Sequence, residues 1–523
     1  MLQTTIGELF QRTVRYHAGR VAIKQGARAL TYADLGAQVN RLANALAGIG
    51  VRHGERVALL MWNCPEYVVC DFAAATAGLV KVPLNHLLTR DEVRFRIEDS
   101  DAAAVICDEY FAPMVEELLA ECPSLRHRIC ITENDRRAPA GFTRFADLLA
   151  GGAASEPGVA VASGDLLGIM YTGGTTGRSK GVMHTHASVQ AICFSEALEM
   201  DVARGDVLLQ VAPLPHATQF MLLPGFLRGG THVLMKKFDP DEVLRTIDRE
   251  RVSWTFMVPT MIYVLLDEPG LRTYDRARLH TVIYGAAPMS PDKLERAIDL
   301  MGPVFLQVYS QMEVANQTTT LTKEDHVEAL RSARHRLGSC GRPIAMAQVR
   351  LVDGDDRDVA AGEAGEILIR GPHMMRGYWR REEETATTMR GGWIHTGDVA
   401  KADADGFFYI VDRAKDMIIS GGMNVYSVEV ENVLMEHPDI REACVIGVPD
   451  DKWGEAVTAF VVPREGARLD GQDLIAFTGR KLAAYSRPKR VELVAEIPKT
   501  PYGKMDKKAI RGRFWTAHER QVH

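Results

Sequence analysis

No stretch of about 18 consecutive apolar residues occurs in this 523-residue chain, so nothing in it reads as a membrane-spanning helix. Residues 1–20 mix polar, acidic and basic side chains around no apolar centre, which excludes a signal peptide. Positive charge is not in excess. The 62 Lys and Arg against 68 Asp and Glu leave a net charge of −6, and the six tryptophans are scattered without interleaved basic residues, which disfavours nucleic acid as a partner. Cysteine is sparse and unclustered. Cys64, Cys70, Cys107, Cys122, Cys130, Cys193, Cys340 and Cys444 form no C-x-x-C and no Cys/His spacing suited to zinc. Scattered thiols predict a reducing compartment, and with no span the expectation is a soluble cytoplasmic protein. A Gly-x-Gly-x-x-Gly turn at a first strand is missing, and so is a Walker-type Gly-Lys-Ser/Thr. The remaining composition, 46% hydrophobic and 25% charged, is ordinary for a soluble enzyme of several domains.

What is present is a glycine-rich stretch at 171–181, reading Tyr-Thr-Gly-Gly-Thr-Thr-Gly-Arg-Ser-Lys-Gly. An apolar run at 166–170 predicts a strand before it, and 186–198 a helix after it. Strand, glycine loop and helix in that order suit a backbone that wraps phosphate. Glycine permits close approach and φ > 0, and exposed N–H groups and hydroxyls donate to the oxyanions. Thr172, Gly173, Gly174, Thr175, Thr176, Gly177 and Lys180 are the candidate phosphate-binding residues. An ordinary flexible loop has similar composition, but Thr175-Thr176 ahead of Gly177 and Lys180 behind it favour the phosphate reading.

The first third alternates helices (5–17, 31–48, 66–78) with strands (56–61, 80–84, 103–107), the pattern of a parallel sheet covered on both faces. From 165 the alternation is regular, with strands at 166–171, 207–212, 232–236, 254–258, 281–284 and 304–309 and helices at 220–227, 241–250, 260–266 and 291–301. Ligands of such sheets bind beyond the carboxyl ends of the strands. Four segments fall there: Pro213 to His216, Val258 to Thr260, Gly285-Ala286-Ala287-Pro288, and Ser310 to Glu313. Between 338 and 410, short alternating runs (348–352, 366–370) broken by glycine and aspartate predict antiparallel β structure, read as a small barrel. It holds Gly392-Trp-Ile-His-Thr-Gly-Asp398, whose carboxylate is placed to accept from vicinal ribose hydroxyls. A charged pivot at 412–416 separates domain 1–411 from domain 417–523, an α+β cap with helices at 427–437 and 471–484. Near the end, Pro501-Tyr-Gly-Lys504 predicts an exposed lysine turn.

The glycine-rich stretch resembles the phosphate loop of the adenylate-forming enzymes, which include acyl-CoA synthetases, with Ser179 where proline is commoner. The resemblance covers nearly the whole chain and the motifs keep the family's order. It implies an α/β fold with a large N-terminal domain of two sheet-and-helix subdomains plus a β-barrel, followed by a small mobile α+β C-terminal domain. The reaction it implies has two half-steps, using ATP, Mg2+ and coenzyme A. A carboxylic acid becomes acyl-AMP with release of pyrophosphate, then the CoA thiol takes the acyl group. By the same resemblance, Lys504, Glu313 and His216 are catalytic; Thr175 and Glu313 serve the metal; Gly285, Ala286, Ala287 and Tyr309 flank adenine. Asp398 and Arg413 would hold the ribose, Ser310 would face phosphate, Lys415 would be the hinge, and Gly421 and Gly422 would reach the pantetheine arm. A homodimer is compatible with the family.

One departure stands out. The family commonly reads Tyr-Gly-x-Thr-Glu where this chain has Tyr309-Ser310-Gln311-Met312-Glu313, so a hydroxyl is replaced by a thioether. Ser310 or Gln311 could stand in for it, or Met312 could shape the acyl pocket. The strip 216–221 has no carboxylate to receive an ammonium, and 258–266 has no arginine for a second carboxylate, which favours an apolar fatty, aryl or alicyclic monocarboxylate. Two alternatives remain open at this stage: a luciferase-like oxygenase of the adenylate, and a non-catalytic nucleotide-binding relative.

Overall fold

The computed structural model describes residues 4–133, 136–172, 179–413, 416–421, 423–450, 452–500 and 505–515. Two mixed sheets enclose a shared layer of helices. One sheet has nine strands in the order Arg342–Pro343, Thr319–Leu321, Phe305–Tyr309, Thr281–Gly285, Trp254–Met257, Val207–Gln210, Thr231–Leu234, Val21–Gln25, Arg28–Thr31. Its centre is parallel, as the alternation predicts, and both edges are antiparallel. The N-terminal strand Val21–Gln25 pairs with Thr231–Leu234, so the first third of the chain does not form a sheet of its own. The second sheet has eight strands, parallel from Leu166–Tyr171 to Thr143–Arg144 and antiparallel at the other edge.

The helices between the sheets form where the sequence caps them and where apolar side chains cover the needed faces. Thr5 with Glu8, Thr31 with Asp34 and Thr185 with Ser188 make reciprocal capping boxes that open the helices Ile6–His17, Tyr32–Gly48 and His186–Glu199. The helix Pro65–Ala77 is buried all round, as its apolar composition requires, and ends at Gly78 in the left-handed conformation. Its buried carboxylate, Asp71, is answered by a buried ion pair with Lys81. These four helices and Leu222–Leu227 share one core cluster with Val57, Leu59 and Leu167 of one sheet and Ile23 and Leu234 of the other.

The antiparallel region is a four-stranded sheet in the order Gln348–Val352, Gly365–Arg370, Ile394–Ala402, Phe408–Arg413. A small C-terminal domain follows, built on the long antiparallel pair Ile440–Asp450 and Gly454–Pro463, with its own core of residues such as Ile418, Val430, Val445 and Val461. Among the described residues no helix is long and apolar enough to cross a membrane.

Three local expectations change. The glycine loop does not lead straight into a helix. A strand, Gly181–Thr185, comes first and pairs antiparallel with Leu166–Tyr171, so the loop closes a hairpin. The helix that begins at Gly471 ends at Gly479, not 484, where the N–H groups of Arg480 and Lys481 donate to the carbonyls three residues back, Phe477 and Thr478, and tighten the last turn. Asp412 and Arg413, read as part of a pivot, are the last two residues of the strand Phe408–Arg413.

Candidate active site at the strand ends

The strands Val207–Gln210, Trp254–Met257, Thr281–Gly285 and Phe305–Tyr309 are adjacent and parallel, so the four segments singled out beyond them leave the sheet side by side. The first is tied across to the second sheet: Asn63 accepts from the Leu214 N–H at 2.8 Å and donates to the Ala212 carbonyl at 2.9 Å. His216 lies half-buried in this turn. Gly285 is required by close approach, since a Cβ there would sit 2.4 Å from the Val308 carbonyl oxygen of the neighbouring strand. Ala286 follows at φ +66°, a left-handed position for a residue with a side chain, and Ala287 completes the turn.

Asp398 is the polar centre beyond the last of these strands. It is 4% exposed and faces Arg413 in register across the antiparallel pair. Its Oδ2 accepts from the Tyr309 hydroxyl at 2.8 Å and from Gln311 Nε2 at 2.7 Å, and Arg413 Nε lies 3.1 Å from Oδ1. A carboxylate has about four lone-pair sites, so three are already committed. The Asp398 charge holds the Arg413 guanidinium above its ordinary range, and burial pushes the Tyr309 hydroxyl up. Gln311 Nε2 also donates to the Thr396 carbonyl at 2.8 Å, which locks this amide to the far strand.

A second chain of contacts runs through Glu313. It sits in a short 3₁₀ turn, Met312–Val314, just past the strand Phe305–Tyr309. The Tyr378 hydroxyl donates to Glu313 Oε1 at 2.8 Å, and the ammonium of Lys180 lies 4.7 Å from the centre of the same tyrosine ring. Tyr378 is placed by pairing with Val182, beside the glycine loop. Lys180 and Glu313, far apart in sequence, therefore both contact one tyrosine, Lys180 over its ring and Glu313 at its hydroxyl. The mouth of the glycine loop is closed where the Thr172 N–H donates to the Lys180 carbonyl at 3.0 Å and the Ser179 hydroxyl donates to the Thr172 carbonyl.

Met312 does not present its thioether in place of a hydroxyl donor. Its side chain packs against two apolar clusters, and its carbonyl accepts from His184 Nε2 at 2.7 Å. Burial lowers the His184 pKa to about 4, so the ring is neutral, with its proton on Nε2 and Nδ1 accepting from the Ser188 hydroxyl. Neither proposed stand-in is spare: Ser310 bonds Thr318 Oγ1 at 3.1 Å and Gln311 serves Asp398. In the C-terminal domain Gly421 adopts φ +60° with the Trp453 ring 3.1 Å from where its Cβ would be, and its N–H donates to the Trp453 carbonyl.

Gly173, Gly174, Thr175, Thr176, Gly177, Lys415, Gly422 and Lys504 lie outside the described residues. Tyr378 escapes sequence reasoning, because nothing in Gly377-Tyr378 marks it until it pairs with the strand after the loop. Gln311 was legible only as a stand-in for a hydroxyl, not as a partner of Asp398.

The family model described as AMP-binding enzyme matches residues 10–379, and that of the AMP-binding enzyme C-terminal domain matches 429–504. The chain is 38% identical to a medium/long-chain-fatty-acid–CoA ligase, FadD8, of Mycobacterium tuberculosis, over 99% of this chain and 91% of that one. It is 41% identical to a feruloyl-CoA synthase of an Amycolatopsis species, over 96% and 98%. Among solved structures, it resembles the amide bond synthetase McbA of Marinactinospora thermotolerans with a TM-score of 0.87 and 33% identity, covering 97% of this chain and 99% of that one. It also resembles the anthranilate CoA ligase AuaEII in complex with anthranoyl-AMP, with a TM-score of 0.90 and 26% identity, covering 98% of each. With both family models matched in order and relatives aligned along nearly their whole length, the chain belongs to the AMP-binding enzyme family.

Proposed function

We propose that this chain is an AMP-forming acid–CoA ligase that uses ATP, Mg2+ and coenzyme A. The observation that carries the reading is the meeting of Lys180 and Glu313 on Tyr378, beside the Asp398 node. A cation, a carboxylate and a hydroxyl-rich loop at one strand-end crevice suit a polyphosphate and its hard metal ion, which prefers oxygen donors. In this reading the loop residues Thr172 to Gly177 with Lys180 hold the phosphates, and Glu313 and Thr175 hold Mg2+. Bound there, the ion neutralises phosphate charge that would repel the incoming carboxylate. Gly285, Ala286, Ala287 and Tyr309 flank adenine, Ser310 braces the turn beneath the phosphates, and Asp398 with Arg413 takes the ribose. With three of the Asp398 lone-pair sites in use, a diol would displace Tyr309 or Gln311.

In the first half-reaction a substrate carboxylate oxygen attacks the α-phosphorus, and the bond from that phosphorus to the β-bridging oxygen breaks with release of pyrophosphate. Lys504 bridges the two anions, and His216 stands beside the acyl group. In the second, the CoA sulfur attacks the acyl carbon, the acyl–phosphate C–O bond breaks and AMP leaves, with the thiol proton passing to solvent. A rotation of the domain 417–523 about Lys415, just past the strand Phe408–Arg413, would exchange Lys504 for Gly421 and Gly422 at the site.

An apolar monocarboxylate fits best. Phe220 and Met221 beside His216 are buried, and the turn at 216–221 carries no charge. Relatives named for fatty acids, ferulate and indoleacetate support the same class. The test is ATP- and CoA-dependent pyrophosphate release across fatty, aryl and alicyclic acids. Release that depends on one of these classes is expected. Saturation by malonate or an amino acid at micromolar concentration would overturn the substrate class, and ATP binding with no release for any acid would overturn the ligase.

Met312→Thr tests the departure in the metal turn. The substitution is expected to lower stability by about 1–2 kcal/mol, since a half-buried thioether leaves two apolar clusters. Turnover should stay within about threefold, because the carbonyl that binds His184 is unchanged. A tenfold gain in pyrophosphate release would show instead that the absent hydroxyl limits the wild-type rate.

A further inference from the structure

One buried acid has no part in that scheme. Glu196 lies on the helix His186–Glu199 and is 0% exposed. Burial pushes its carboxyl up to about 8, so it is largely neutral at pH 7. Asn316 Nδ2 donates to its Oε1 at 2.5 Å, and its Oε2 has no partner among the described residues. Asn316 stands three residues beyond Glu313. The 3₁₀ turn that carries Glu313 stops at Ala315 with φ +40°, and Asn316 follows at φ +70°. Two successive residues with side chains in the left-handed region are strained, and such strain persists only where the surroundings over-determine it. Here the surroundings can be named. Thr318 N–H closes the base of the loop on the Tyr309 carbonyl at 2.8 Å. His184 binds the Met312 carbonyl, and the Met375 N–H binds the Glu313 carbonyl at 2.8 Å. Among the described residues, the side-chain hydrogen bond to the left-handed pair comes from Glu196, on the helix His186–Glu199, while Ala315 itself packs in the apolar core.

We propose that Glu196 is a positioning residue for Glu313: by binding the Asn316 amide it fixes the strained turn Ala315–Asn316 and with it the direction in which the Glu313 carboxylate leaves the sheet. This rests on the reading of Glu313 as the Mg-ATP carboxylate. Glu196→Ala would strip the buried Asn316 amide of its acceptor and free the turn to relax. Glu196→Gln has the shape of the neutral acid and keeps an oxygen for Asn316.

The experiment measures the KM for Mg-ATP, the KM for the acid and kcat by pyrophosphate release, in Glu196→Ala, Glu196→Gln and Asn316→Gly, with Glu313→Gln as reference and a thermal melt for each. Asn316→Gly tolerates the left-handed backbone yet removes the amide, so it reports on the link even if the alanine variant folds poorly. The expected result is a KM for Mg-ATP raised about tenfold to a hundredfold in Glu196→Ala. The same direction is expected in Asn316→Gly, with recovery to within about threefold in Glu196→Gln and an acid KM within about twofold throughout. An effect on the acid KM alone would overturn the proposal and make Glu196 a wall of the acyl pocket. Equal loss in the alanine and glutamine variants at a native melting temperature, or no loss in either, would also overturn it. Unaltered Mg-ATP dependence in Glu313→Gln would sink the underlying reading of Glu313, a failure that the Glu196 variants alone do not produce.

Discussion

Lys504→Ala is expected to lower acid-dependent pyrophosphate release by about a thousandfold while leaving CoA transfer from supplied acyl adenylate within about threefold. Attack of a carboxylate on a phosphate sets one anion against another, and a cation placed between them supplies what neither substrate has. Losing one donor to developing charge costs about 3 kcal/mol, a hundredfold in rate, and charge-assisted bonds are roughly twice as strong as neutral ones. The described residues that flank position 504 are themselves held in place. Lys499 and Met505 form an antiparallel bridge, and Lys507 is anchored in the C-terminal domain by Glu431 at 2.8 Å and the Ser427 hydroxyl at 2.6 Å. An alanine at 504 leaves those supports in place, so the fold should survive. The check is a pair of assays, pyrophosphate release for the first half-reaction and CoA ester formation from the adenylate for the second. Equal loss in both would contradict a role confined to the first half-step.

Asp398→Ala is expected to raise the KM for ATP by about tenfold to a hundredfold and to lower the melting temperature by several degrees. The substitution removes the acceptor of the Tyr309 hydroxyl and the Gln311 amide and the counter-charge of Arg413. Breaking a buried pair costs about 3–5 kcal/mol. The Arg413 side chain is 40% exposed, so water answers part of its charge and about 2–3 kcal/mol is the better expectation. Asp398→Asn separates the two effects. Its amide oxygen can still accept from Tyr309 and Gln311, but its NH2 then faces Arg413. Stability should largely return while the defect in ATP binding stays. Scanning fluorimetry and the ATP dependence of pyrophosphate release read the two, and full recovery of both in the asparagine variant would contradict the charge argument.

The legibility of the site differed residue by residue. Asp398 stood out in its Thr-Gly-Asp setting, and Tyr309 and Arg413 were named with it. Their shared hydrogen-bonded node was not legible, since it depends on the register of Asp398 against Arg413 and on the sheet that delivers Tyr309. The strand Gly181–Thr185 was read through as part of the path from loop to helix. Five residues carry too little periodicity to declare a strand, and this one is defined by its partners on both sides, Leu166–Tyr171 and Gly377–Tyr378. Helix starts were easier than helix ends. The capping residues Thr5, Thr31 and Thr185 are local signals, whereas the stop at Gly479 comes just before a run, 480–484, whose composition alone would continue the helix.

By itself the sequence determined the alternation of strands and helices, the glycine-rich loop, the segments beyond the four parallel strands, and the division into a large and a small domain. Each of these is written in local chemistry: apolar periodicity, capping side chains, glycine where the backbone must approach another strand. Only the tertiary structure decided that the first strand joins the distant sheet, that Tyr378 stands between Lys180 and Glu313, and that the buried Glu196 holds Asn316. Those contacts link residues at least 65 positions apart. They form because burying both faces of two sheets brings those segments together, and no side chain announces in sequence which distant partner burial will bring to it.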